Sequence, residues 1–165
     1  MDGMRVRVDM AEVQAFAARF PQLQRALSAG TTRAVHRVVL EGERRTKQHV
    51  AVDTGHYRRS ITSDVQTSIR TVTGRFGSNV PYAPVREFGR RPGARMPPRG
   101  SLLAWMRRHG IPRELEFILR RRIARHGIKG EHVFADVLRD LRPLLAREVA
   151  GIKPALIAAL RGGVL

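Results

Sequence analysis

After Asp53 the spacing of apolar residues changes, and that change constrains the fold more than any other feature of the chain. Before it, Val35, Val38 and Val39 recur at helical spacing, with Glu41, Glu43, Arg44, Arg45 and Lys47 on the other face. That pattern predicts an amphipathic helix through about Val50, with one packed stripe and one wet face. Thr31 or Thr32 is expected to cap it, and Pro21 to open a preceding helical turn. Beyond it, "SITSDVQTSI" puts Ile61, Val65 and Ile69 on one side of a period-two segment, and "TVTGRFGSNV" does the same with Val72, Phe76 and Val80. Serine and threonine fill the gaps, so the pair is expected to form a half-buried antiparallel hairpin. No Asn-Gly or Asp-Gly marks its turn.

The flanks complete an α+β class: N-terminal helices, a small antiparallel sheet, and C-terminal helices packed on the sheet. "RVRVDM" alternates like a short opening strand, and "AEVQAFAARF" has helical spacing. Pro81 to Gly100 is rich in proline and glycine and predicts a loop, with an extended arm over 90–100. "SLLAWMRRHG" predicts a short helix capped by Ser101 and stopped by Gly110, with Trp105 in the core. "RELEFILRRRIARHG" predicts another, stopped by Gly127. In the last long helix Val133, Phe134, Val137, Leu138, Leu141 and Leu145 share a stripe, and Pro143 is expected to kink or shorten it. "KPALIAALR" ends the chain. At 165 residues the expectation is one domain, 1–165, with 101–127 a helical insertion.

Composition narrows the chemistry. There is no cysteine, which removes disulfides and thiolate metal sites. No run approaches the ~18 apolar residues of a membrane span, and the start "MDGMRVRVDM" lacks a signal-peptide core. The expectation is a protein folded in a cytoplasm, without membrane contact. The formal charge is +17, with three lysines and the other bases arginine. Positive charge of that size favours nucleic acid or an acidic protein surface. From Arg86 to Arg125 there are twelve arginines against three acids, a net of +9.

Asp53-Thr54-Gly55 has the letters of an aspartic-protease site, but that chemistry uses two carboxylates sharing a proton away from water. Here Arg58 and Arg59 follow and would hold a carboxylate ionised. The better reading is that Asp53 or Thr54 caps one helical turn before the strand at Ile61. The six histidines show no metal-binding spacing, and "GRFGSN" lacks the Lys-Ser/Thr of a phosphate loop. No cofactor, metal site or small-molecule substrate is expected, nor any catalysis.

Three stretches in order, "VDTGHYRRSI", "GRFGSNVPYAPVREFG" and "RRIARHGIKGEHVFADVL", resemble the neck or head–tail joining proteins of long-tailed bacteriophages, including those of prophages and gene-transfer-agent-like particles. The match places Asp53, Thr54, Gly55, Arg58, Ser60 and Ile61 in a first element, and Gly77, Asn79, Tyr82, Ala83, Pro84, Glu87, Phe88 and Gly89 in a second. Tyr57 stands where that family often has leucine, and Arg86 where it is often apolar. The resemblance implies a structural virion protein that joins the DNA-filled head to the tail as a homo-oligomeric ring, a hexamer or dodecamer, around the DNA channel. Its implied partners are other neck, portal-side and tail proteins, and its implied place is the virion neck. Tyr82, Glu87, Phe88, Arg90, Arg91, Arg95 and Arg99 would then meet a neighbouring subunit or partner, with Arg90 to Arg99 as a bridging arm. Arg107, Arg108, Arg120, Arg121, Arg122 and Arg125 would face DNA or an acidic partner. A sequence-nonspecific DNA-binding protein using 86–125 is the alternative.

Overall fold

A computed structural model describes residues 4–11, 21–154, 156 and 157. The α+β class holds: the described residues are mainly helical, with one antiparallel sheet. It divides into two compact units, one made of the chain up to Val80 together with the chain from Val133, the other of Pro81–His132. The inserted unit thus begins well before the 101–127 segment expected from sequence.

In the first unit three strands, β1 (Met4–Asp9), β2 (Ile61–Thr67) and β3 (Thr71–Ser78), lie in the order β1-β3-β2, antiparallel throughout. Helix α1 (Pro21–His49) crosses one face. The contact depends on residue size in the central strand. Val72 and Phe76 on β3 point to the helix and are buried, and between them stands Gly74. A Cβ on Gly74 would lie 2.2 Å from Val39 Cγ2 and 2.7 Å from Val35 Cγ1. The glycine lets the valine stripe of α1 sit directly on the sheet. From β2, Ser63 and Thr67 face the same helix: Ser63 Oγ donates to Glu43, and Thr67 Oγ1 meets Thr32 Oγ1 at 3.3 Å.

Helix α6 (Val133–Ala150) packs along α1 with Phe134, Val137 and Leu141 buried, and Phe134 stacks on Phe76 at 6.0 Å. The element lying across the sheet is therefore mainly α1, where C-terminal helices were expected. Pro143 does not end α6, which runs on to Ala150. A second apolar cluster joins Met10, Leu27, Ala34 and Ile152, with Leu156 against it.

Two local expectations need correction. Thr31 and Thr32 do not cap a helix; α1 is continuous from Pro21, and Thr31 is buried with its hydroxyl on Met10 Sδ at 3.0 Å. Ile69 is not on the buried side of the hairpin but 83% exposed in its turn. There Ser68 N donates to Thr71 O at 2.8 Å and Thr71 N donates back to Ser68 Oγ at 3.1 Å, so a serine side chain closes the turn that an Asn-Gly pair often makes. The helix expected over "AEVQAFAARF" falls outside the described residues from 12 to 20, as does most of the closing piece, 153–161.

The wet face of α1 is laced by ion pairs one turn apart. Arg44 grips Glu41 with two nitrogens at 2.8 and 2.7 Å, and Arg45 Nε adds a third bond at 2.6 Å. The hydrogen bonds from Arg44, then Arg45, hold the Glu41 carboxyl at about 2, against an ordinary 4.5. Glu43 is also held low: its partial burial pushes it up, but the bonds from Lys47 and Ser63 outweigh that. Because the folded pKa of Glu41 is depressed, its stabilising contribution is present in full above 4.5 and is lost as pH falls through about 2. The contribution is small, since Arg44 is largely exposed and water screens the pair. Carboxyl-carbon NMR titration should place the Glu41 midpoint near 2 in the parent. In the double variant Arg44→Gln/Arg45→Gln it should return to the ordinary carboxylate range.

Candidate functional site

The opening motif folds into helix α2 (His56–Ser60), entered through Gly55 at φ 74°. The N-cap position falls to Gly55, not to Thr54, which stands one residue earlier and accepts only a long bond from His56 N at 3.4 Å. Asp53 is exposed in this chain, unlike the water-excluded carboxylates of an acid protease. Tyr57 is buried, and Ser60 Oγ bonds Ser78 Oγ at 2.6 Å, tying the turn to β3. These residues hold the fold.

The second motif, the arm and most of the arginines lie in the unit Pro81–His132. Part of the expected loop is helix α3 (Ala83–Phe88), with Pro84 in its first turn, where a missing N–H costs nothing. Ala83 and Glu87, four apart, are buried. Glu87, expected at an interface with Tyr82 and Phe88, is thus an inward residue. The two aromatics stay outside, Tyr82 at 42% and Phe88 at 70% exposure.

The end of α3 is sealed by residues that follow much later in the chain. Glu131 N donates to Arg86 O at 2.8 Å and His132 N to Glu87 O at 3.1 Å, supplying donors for carbonyls that a helix end leaves open. Arg86 also clasps Glu131 Oε1 at 3.1 and 2.6 Å. Next comes a two-bond bridge: Arg90 N to Ile128 O at 2.8 Å and Ile128 N to Arg90 O at 2.9 Å. Gly89 and Gly127 precede the bridged residues at φ 76° and 72°, and a Cβ on either would strike backbone across the bridge.

Residues 90–100 carry no helix or strand beyond that bridge. Three hydrogen bonds tie them to α5 (Glu116–His126) of the same unit: Gly93 N to Ala124 O at 2.7 Å, Arg120 Nε to Pro97 O at 2.7 Å, and Gly100 N to Glu116 Oε1 at 2.5 Å. Before α5 come α4 (Leu103–Arg108) and a 3-10 turn, Arg113–Leu115. Ser101 does not cap α4; its hydroxyl donates to Pro98 O at 2.7 Å and closes a turn. Trp105 is not core either. It is 40% exposed and lies on His109 at 4.6 Å, while Met106 takes the buried position.

The expected charge surface has a definite layout. Arg91, Arg95, Arg99, Arg107, Arg108, Arg121, Arg122 and Arg125 are exposed, whereas Arg90 and Arg120 are half-buried. Arg90 and Arg95 line one pocket with Met96, Pro97, Pro98 and the distant Arg120. Sequence reading missed a second feature, the exposed Leu115, Phe117 and Ile118 at the start of α5. Their only signal was adjacency: apolar neighbours side by side cannot share a single helical stripe.

Among the described residues no histidine and carboxylate group has the makings of a metal site, and no helix is long and apolar enough to cross a membrane. Comparison with protein families, with curated proteins and with solved structures finds no match.

Proposed function

We propose that this chain is a structural component of a tailed-phage or phage-derived particle that joins the DNA-filled head to the tail, acting by assembly without catalysis. One observation carries the reading: the second motif divides into an inner half that folds its unit, Ala83 and Glu87, and an outer half that offers Tyr82 and Phe88 to a neighbour. Exposed aromatics beside arginine are the composition of interface anchors. The three motif stretches in their order give the particle its identity. On this reading the subunits form a hexameric or dodecameric ring in the virion neck, against portal-side and tail proteins, after folding in the host cytoplasm.

Particles produced without this gene should accumulate as filled heads and separate tails in negative-stain images. Tailed particles in normal number would overturn the reading. Phe88→Ser tests the surface itself. Replacing a side chain this exposed should change stability by no more than about 0.5 kcal/mol. The yield of joined particles should nonetheless fall at least tenfold, on the order of the 1.4 kcal/mol or more that an anchoring aromatic contributes.

A further inference from the structure

We propose that Arg90, Arg95 and Arg120 form a phosphate-binding pocket that takes the backbone of a nucleic acid strand. The inference stands on the pocket's own geometry and does not use the joining role.

The pocket has a volume of about 570 Å³, and one wall is Met96, Pro97 and Pro98. Its cations are placed by the fold. The backbone of Arg90 is fixed on both sides by the bridge to Ile128. Arg120 is oriented by its Nε bond to Pro97 O, which leaves its two terminal nitrogens for a ligand. Arg90 Nε is buried and has no acceptor among the described residues. Native folds rarely leave a buried donor unpaired, and such a group calls for a missing partner. Nε and one terminal nitrogen of a guanidinium form a fork that matches two oxygens of one anion.

Charge balance points the same way. Among the described residues no carboxylate pairs with Arg90, Arg95 or Arg120. Two acids lie close in sequence: Glu87, three residues before Arg90, is buried inside its unit, and Glu116, one turn before Arg120, is turned to Gly100 N. Three guanidinium groups around one cavity repel each other until an anion enters.

Phosphate and carboxylate both fit a guanidinium fork. The surroundings favour a phosphate chain. Arg91 and Arg99 on the same segment, and Arg121 and Arg122 on the same helix, are exposed. A lone carboxylate would use the pocket and leave these idle, whereas a backbone with a charge at every step engages them together. The proline and methionine wall offers contact to sugars without reading bases.

The test uses the purified full chain and a short labelled DNA duplex, with fluorescence anisotropy over a series of salt concentrations. Arg95→Gln and Arg120→Gln should each weaken binding about five- to tenfold near 0.1 M salt and reduce the slope of log Kd against log salt by about 1. Arg147→Gln, an exposed arginine of the other unit, should leave both unchanged. Because Arg95 is exposed, its replacement leaves folding intact, and circular dichroism will verify that. Parent-like affinity and slope in Arg95→Gln and Arg120→Gln would overturn the proposal. So would binding of polyglutamate in preference to the duplex, which would make the pocket a seat for an acidic protein.

Discussion

Gly74→Ala is expected to destabilise the protein by about 2–3 kcal/mol, and Gly74→Val to prevent folding at ordinary temperatures. Glycine in a strand interior normally costs about 0.5–1 kcal/mol relative to alanine, so on backbone grounds alone the replacement should stabilise. Sterics reverse the sign. The new Cβ would stand 2.2 Å from Val39 Cγ2 and 2.7 Å from Val35 Cγ1, inside any allowed contact. Both valines are fully buried on α1, so neither can turn away into solvent. Relief requires lifting the helix from β3, and overpacking of that kind costs about 1–3 kcal/mol per added group. Valine adds two more methyls, against a total stability of about 5–15 kcal/mol. Urea unfolding of Gly74→Ala measures the first value. The double variant Gly74→Ala/Val39→Ala should recover part of the loss, because the second change removes the atoms the first one strikes. An unchanged midpoint in the single variant would mean that helix and sheet do not meet at this position.

The same contact shows what sequence conveys and what it does not. Val35, Val38, Val39, Val72 and Phe76 declare their burial through spacing, since a helix repeats near 3.6 and a strand at 2. Gly74 lies in phase with Val72 and Phe76, but a glycine has no hydropathy to betray a close approach. Helix α3 was hidden for another reason. It is a six-residue segment among prolines, too short to show a period, and Pro84 signals a break unless its place in the first turn is known. Trp105 and Met106 are adjacent, and only packing decides which of two apolar neighbours turns inward. The pocket was the least legible feature. Arg90 and Arg120 come together because the chain after α5 returns to bridge Arg90 through Ile128, and no local signal encodes that return. Sequence reading accordingly divided these arginines between two surfaces.

That return passes through Gly127, and Gly127→Ala is expected to cost about 3–4 kcal/mol, the sum of a backbone conformation that essentially only glycine adopts and two lost bridge hydrogen bonds. Gly127 has φ 72° and ψ −162°, a region that essentially only glycine adopts, and an L-residue there costs about 1–3 kcal/mol. Its Cβ would lie 2.1 Å from Arg90 O, 2.9 Å from Pro92 N and 3.0 Å from Arg91 C. All three are backbone atoms, so no side-chain rotation relieves the clash. The strands of the bridge must part instead, releasing both Arg90–Ile128 bonds. Gly93→Ala separates the two causes. Its φ is 78°, but a Cβ there meets nothing within 4 Å, so only the conformational cost of about 1–2 kcal/mol applies. Amide hydrogen exchange at Arg90 and Ile128 should accelerate by two to three orders of magnitude in Gly127→Ala, on the order of 3–4 kcal/mol of local opening. In Gly93→Ala the same amides should accelerate roughly tenfold. If the pocket depends on the bridge to hold Arg90, duplex affinity should fall with exchange protection across these two variants, although neither change removes a charge.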